Sequence, residues 1–484
     1  MSARPEGAEL SAGLAACLVV GLEGTEPTAR EWAWLAAWRP AGVILFGRNV
    51  TGPAQAASLC ARLRAAVPGL EVMVDHEGGP VAQMVAAAGR PPAAWALGAL
   101  DDAGLTRSVC LESGRRLAAL GVTRVLGPVA DVLEHPRNPV IGARAFGSQP
   151  ALCARHVGAA VRGYRDAGLR VCVKHWPGHG GTSTDSHLSL EQQLVTGCAE
   201  PFAAGLGAGA DSVMVGHLPV ARGPGGEPLL ATLDAAYLAA TRAQLCAGGD
   251  GPLLVADDVT MGALRTPMLA AGVPAPDALA SGLVDPAVLP AAWLRLLCDA
   301  GCGLLLIRGI PWRALPVPEG VPAPPVVQGC GTVVAPDRPA ADPAAWRAAR
   351  ARLWQAAAGG WADAAATVNW LDLTAGDRWG AADQRGDALF AARLGSLFAA
   401  VRRVGEPDGD AIGARLLVTS HRPLPEAVLR GRAAAAQGVA VAMGHPSLAG
   451  DLSEWLGKGW LVGQVYDCDV SDLAPESGHT PQNL

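Results

Sequence analysis

The sequence predicts an α/β protein: a (β/α)8 barrel of the TIM type followed by a smaller α/β C-terminal domain. Three observations carry this. Eight short, continuous apolar runs recur before about residue 308, the pattern of strands buried on both faces. Alanine-rich stretches of helical composition, such as "GPAQAASLCARLRAAV" and "PALCARHVGAAVRGYRDAG", lie between them, and several end at glycine. Polar residues collect at the C-terminal ends of five of the runs, the end at which a barrel carries its chemistry. An open doubly wound sheet is the alternative architecture. It is disfavoured because no GxGxxG follows the first strand.

The first run is "AACLVVGL", and the "LAAC" it overlaps imitates a lipoprotein cleavage site. The preceding "SARPEGAELSAG" lacks the apolar core that a signal peptide needs, so a buried strand is expected here. "AGVILF" and "LEVMVD" follow, the latter ending at Asp75. "VTRVLGPVAD" ends at Asp131, "LRVCVK" at Lys174 next to His175, and "DSVMVGH" at His217. "GPLLVAD" ends at Asp257, with Asp258 directly after it, and "CGLLLI" closes the set. Any one terminal aspartate is explained by turn initiation or helix capping. Five polar ends together, one bearing a lysine–histidine pair, indicate a site. Of the two aspartates, Asp257 is expected to point into the barrel mouth and Asp258 to cap a helix starting in "VTMGAL".

These runs place the barrel in residues 1–310. A Pro-rich linker is expected over 311–340 ("PVPEGVPAPPVVQG", "APDRPAADP"). The smaller α/β domain is expected over 341–484, with strands in "ARLLVTS", "GVAVAMG" and "WLVGQVYD". A chain of 484 residues exceeds the usual size of one core, which agrees with two domains.

Composition narrows the function classes. Half of the residues are apolar and 17% are charged, which excludes a disordered chain. The net charge of −6, without a basic run, argues against nucleic acid or an anionic membrane surface as partner. No run approaches the length of a membrane span. The 11 cysteines form no CxxC pair, so reduced thiols in a cytoplasmic protein are expected. The sequence sets no oligomeric state.

The densest chemistry lies in "KHWPGHGGTSTDSH", Lys174–His187, which holds three of the chain's 10 histidines. It falls in the loop after the fifth strand. The glycines and proline of "PGHGG" predict a turn-rich, mobile segment. Asp185 and His187 are two apart, a spacing at which a carboxylate can hold an imidazole and stabilise its protonated form. That pair reads as an acid–base device. A metal would need three or four convergent ligands, and Asp185, His187, His175 and His179 match no standard zinc spacing, so no metal is expected.

These motifs resemble the β-N-acetylglucosaminidase branch of the family 3 glycoside hydrolases. "KHWPGHGGTSTDSH" resembles the hallmark of that branch, "VDHEGGPVAQ" its strand-three motif, "NPVIGARAFGSQP" its arginine-bearing loop and "VADDVTMGAL" its nucleophile segment. The resemblance runs in order from residue 14 to about 308. It implies a retaining hydrolase of terminal N-acetylglucosamine from cell-wall fragments or related glycosides, without a cofactor. Asp257 would be the nucleophile and His187, oriented by Asp185, the acid–base group. Asp75, Arg144, Lys174 and His175 match the family's sugar-binding positions. The strand-three motif usually reads Asp-Gln-Glu-Gly-Gly-Arg-Val-Gln-Arg. Here His76, Pro80, Ala82 and Gln83 stand in four of those places, Gln83 in that of a sugar-binding arginine, and Ala143 replaces the aspartate usual before Arg144. A sugar-binding barrel without turnover and a metal-dependent hydrolase are the rival readings. Water and phosphate both stay open as acceptor, since a histidine would not repel an anion as a carboxylate would.

Overall fold

The computed structural model describes residues 12–135, 138, 140–245, 251–270, 272 and 283–318, together with four short strands between 401 and 463. Each of the eight apolar runs contains a strand, but the first begins only at Leu18: residues 12–15 are helical and Ala16 and Cys17 form a turn, so the "LAAC" part of the expected strand is corrected. The strands are β1 (Leu18–Gly21), β2 (Gly42–Leu45), β3 (Glu71–Val74), β6 (Arg124–Val129), β7 (Arg170–Trp176), β8 (Ser212–Val215), β11 (Leu253–Ala256) and β12 (Leu304–Ile307). Every neighbouring pair is parallel, and β1 meets both β2 and β12, so the sheet closes into the expected barrel. Two small antiparallel hairpins decorate it: β4 (His76–Gly78) with β5 (Val81–Ala82), and β9 (Pro219–Arg222) with β10 (Pro228–Leu230).

Local chemistry explains the outer helices. Thr28 caps the helix Ala29–Trp38, its hydroxyl accepting from Glu31 N–H while the Glu31 carboxylate accepts from Thr28 N–H at 2.7 Å. Such a cap is worth about 1 kcal/mol. Trp34 and Leu35 then bury the helix against the barrel. The helices Ala103–Ala119 and Pro150–Asp166 approach closely because glycine stands at the contact. A Cβ at Gly163 would lie 2.4 Å from the Arg107 carbonyl oxygen. Leu14 and Ala15 are buried in the same outer core, immediately before β1.

Inside the barrel the filling is layered. Val19, Ile44, Met73, Leu126, Cys172, Met214, Val255 and Leu306 form an apolar plug. At the N-terminal end, buried Arg124 pairs with Glu71 at 2.7 Å and with Asp211. The C-terminal end is left for the polar residues considered next.

Beyond the barrel, residues 311–318 pack back onto it. The indole N–H groups of Trp34 and Trp38 donate to the carbonyls of Leu315 and Pro316. The rest of the expected linker lies outside the described residues. In the C-terminal part, four parallel strands are described: β13 (Val401–Val404), β14 (Leu416–Thr419), β15 (Val439–Val441) and β16 (Val462–Gly463), paired in that order. The last three fall within the three apolar runs read from the sequence. β13 was not expected, because its first residue ends a helix-like stretch. Among the described residues no helix is long and apolar enough to cross a membrane, and the cysteines are free thiols.

Candidate active site

Five of the eight strands deliver a polar residue to one mouth. Asp75 follows β3, Asp131 follows β6, Lys174 and His175 lie near the end of β7, His217 follows β8 and Asp257 follows β11. Buried Lys174 contacts Asp75 at 2.6 Å and Glu77 at 2.5 Å. Arg144, presented by the loop after β6, forms a two-bond fork with Glu77 (2.8 and 2.9 Å) and reaches Nε2 of His175 at 3.2 Å. Nδ1 of His175 meets Asp131 at 2.7 Å. Asp75, Lys174, Arg144 and His175 are therefore one connected cluster.

Glu77 is the residue that sequence reasoning missed. It lies inside the quoted "VDHEGG" motif, yet nothing in the local spacing shows that its carboxylate joins Lys174 to Arg144. Burial would raise its carboxyl, but Arg144 and Lys174 bring it down to about 2. Burial, with Arg144 next to the ring, keeps His175 well below the usual histidine range. It is then neutral, with Nδ1–H donating to Asp131 and Nε2 accepting from Arg144. Lys174 and Arg144 were expected as donors to a sugar. They are also committed to carboxylates, which fixes where their remaining N–H groups point.

Asp257 is partly buried. Burial alone would raise its carboxyl, but the imidazoles of His175, His217 and His187 and the backbone N–H of Asp258 bring it down to about 2. It is an ionised carboxylate at the centre of the mouth. His217 spans Thr232 (2.9 Å) and the carbonyl of Asp258 (3.1 Å), which fixes the peptide after Asp258. Asp258 points elsewhere. One of its oxygens accepts from Thr260 N–H and hydroxyl and the other from Arg308 at 2.7 Å. The expected helix cap is corrected here. The segment makes a tight turn into the 3-10 turn Gly262–Leu264, and Asp258 serves that turn and an ion pair.

Asp185 and His187 lie on the loop after β7. The Asp185 carboxylate accepts from His187 N–H at 2.9 Å and meets Nδ1 at 2.8 Å. This hydrogen bond raises the His187 imidazole above the usual range against partial burial, and Asp257 adds to it. The loop rests on the segment that follows Asp257: Gly262 N–H donates to His187 O at 3.0 Å and Ala263 N–H to Ser186 O at 3.2 Å. The mouth thus holds an ionised carboxylate and an imidazole whose protonated form is favoured, on two different loops.

The expectation that "PGHGG" is mobile is overturned. Gly178, His179, Gly180 and Thr182 are buried. Nδ1 of His179 pairs with Thr182 and Nε2 with Ser186, each at 2.7 Å, and Asn138 donates to the carbonyls of His179 and Thr182. Glycine is used here for closeness: a Cβ at Gly180 would lie 1.7 Å from the Val132 carbonyl oxygen. Among the described residues, no three His, Cys, Asp or Glu side chains converge as metal ligands. Of the family departures, His76 turns away from the mouth, buried with Nδ1 accepting from Met84 N–H. Gln83 holds Gly47 N–H at 2.9 Å.

Comparison with known proteins places the barrel among glycoside-hydrolase relatives. A β-hexosaminidase of Xylella fastidiosa strain M12 is 37% identical over 214 residues, 42% of this chain and 63% of that protein. A β-hexosaminidase of Xanthomonas campestris pv. campestris strain B100 is 34% identical over 266 residues, 51% of this chain and 76% of that protein. The match spans less than two thirds of the Xylella protein's length. A solved family 3 glycosyl hydrolase of Mycobacterium smegmatis superposes with a TM-score of 0.51 at 28% identity, over 63% of this chain and 88% of that one. The profile of the glycosyl hydrolase family 3 N-terminal domain matches residues 9–292, more than half of the sequence, and the chain therefore belongs to glycosyl hydrolase family 3.

Proposed function

We propose that this protein is a retaining β-N-acetylhexosaminidase, acting on terminal N-acetylglucosamine through a glycosyl-aspartate intermediate. The observation that carries the reading is the pairing of ionised Asp257 with a raised, Asp185-held His187 whose loop sits on the nucleophile segment. Asp257 attacks the anomeric carbon while His187 gives its proton to the leaving oxygen. His187, now neutral, takes a proton from the incoming water, which releases the sugar with its starting configuration. Asp185 keeps the ring oriented and favours its protonated form.

Asp75, Lys174, Arg144 and His175 bind the sugar in this reading, through N–H groups and oxygens that their internal pairing leaves over. The names of the relatives support an amino-sugar substrate, and cell-wall-derived conjugates in the cytoplasm are the source we favour. The mechanism needs no metal.

The test is hydrolysis of a nitrophenyl N-acetylglucosaminide with and without a chelator. Release of nitrophenol unaffected by chelation supports the proposal. Binding without release would favour a lectin-like barrel. Loss on chelation that a divalent ion restores would favour a metal-dependent hydrolase.

A further inference from the structure

Four residues after His187 lies a carboxylate that the reaction does not use. Glu191 is only 4% exposed. One of its oxygens accepts from Ser183 N–H (2.9 Å), Ser183 Oγ (3.2 Å), Thr184 N–H (3.2 Å) and Thr184 Oγ1 (3.1 Å). The other accepts from the N–H groups of Gln192 (2.8 Å) and Gln193 (3.1 Å). Six donors on one carboxylate close the segment 183–193 into a ring, and Asp185 and His187 both lie within it.

We infer that Glu191 is the positioning residue of the acid–base pair: its carboxylate staples the loop so that Asp185 and His187 face Asp257. The inference rests on the hydrolase reading above. The far limb of the loop is held from outside, by Arg222 on the Gln192 carbonyl (2.6 Å) and by Val195 N–H on the Pro219 carbonyl (2.8 Å). The near limb rests on the nucleophile segment through Ser186 and His187. Between these supports, Glu191 sets the backbone that carries Asp185, because Thr184 is its immediate neighbour. Burial would raise the Glu191 carboxyl, yet the surrounding donors bring it down to about 2, so the staple stays ionised wherever the enzyme would work.

The placement of the donors separates positioning from folding. Ser183, Gln192 and Gln193 are exposed. Without Glu191 their polar groups turn to water, so the barrel persists while the loop loses its fixed path. General acid catalysis needs Nε2 of His187 within hydrogen-bond reach of the leaving oxygen, and a misplacement of about 1 Å can cost ~10²-fold in rate. A nitrophenyl group leaves with little protonation, and an alkyl group does not.

The experiment compares kcat/KM for a nitrophenyl and an alkyl N-acetylglucosaminide in the full-length wild type and in Glu191→Ala and Glu191→Gln. Glu191→Ala should lose roughly 10–10²-fold on the alkyl substrate and only a few-fold on the nitrophenyl one. Glu191→Gln, which keeps one accepting oxygen, should fall between. The double variant Ser183→Ala/Thr184→Val removes two of the six donors and should give a smaller selective loss, a check that holds even if Glu191→Ala folds poorly. Equal loss on both substrates, or none on either, overturns the inference while leaving the hydrolase reading intact. A wild type inactive on both overturns the two together.

Discussion

Gly262 N–H donates to the carbonyl of His187 at 3.0 Å, so the loop of Asp185 and His187 and the segment after Asp257 share a backbone hydrogen bond. Only glycine permits this approach. A Cβ at position 262 would lie 2.5 Å from the Leu188 carbonyl oxygen and 3.0 Å from that of His187. The contact fixes the spacing between the two loops that we propose to be catalytic, independently of any side chain.

Gly262→Ala should therefore push the loop from the mouth. The expected result is a fall of about 10²-fold in kcat on an alkyl glycoside, with overpacking destabilising the fold by roughly 1–3 kcal/mol. Steady-state kinetics and a thermal melt check both parts. Full activity in this variant would mean that the loops are not coupled through this contact.

The acid–base pair predicts a pH response with a definite sign. Asp185 raises the folded-state value of His187 by holding its Nδ1–H, and Asp257 adds to the effect. The proton-donating form is thus present below the raised value and is lost as pH rises through it. Asp185→Asn keeps a hydrogen-bond acceptor but removes the charge, so the alkaline limb of kcat/KM should move to lower pH. The titration of Asp257, brought down to about 2, lies far from this limb. A profile unchanged in Asp185→Asn would remove His187 from the role of acid.

Glu77 gives a prediction in which stability and binding move together. Its carboxylate, 4% exposed, sits between Arg144 and Lys174. Glu77→Gln leaves those buried cations with one fewer anion, and breaking such a pair costs on the order of 3–5 kcal/mol. Lys174 and Arg144 should then drift from the positions at which we propose they bind sugar, which raises KM. Melting temperature and KM are the readouts. A variant that melts lower but keeps its KM would confine Glu77 to the scaffold.

The barrel was legible because each strand is a short continuous apolar run, and because Asp75, Lys174, His175 and Asp257 fall at one end of those runs. The Asp185–His187 pair was legible because two residues of spacing suffice for a local hydrogen bond. Glu77 was not, since its partner Arg144 lies 67 residues away and only the closed barrel brings them together. The burial of most of "PGHGG" was hidden for the same reason: Asn138, from a different loop, donates to the carbonyls of His179 and of Thr182 just after the motif. Glu191 left no pattern, because four of its six donors are backbone N–H groups that any sequence could offer. The role of Asp258 depended on Arg308, 50 residues on.

The division of labour between Asp257 and His187 gives the sharpest test of the mechanism. General acid–base help is worth roughly 10²–10⁴ in rate and matters most for a poor leaving group. His187→Ala should abolish most turnover of an unactivated disaccharide while sparing the first step with a nitrophenyl sugar. The second step still needs water to be activated, so the mutant should accumulate the covalent intermediate. Azide needs no base and should speed its breakdown to a β-configured glycosyl azide. Asp257→Ala differs, because without the nucleophile no intermediate forms and both substrates fail together. Asp258 is an unsuitable substitute, since its oxygens are held by Thr260 and Arg308. Intact-mass and peptide measurements after mixing each variant with an activated 2-fluoro sugar should place the adduct on Asp257 in both the wild type and His187→Ala. An adduct on Asp258, or one that persists in Asp257→Ala, would show that the wrong carboxylate has been assigned to the attack.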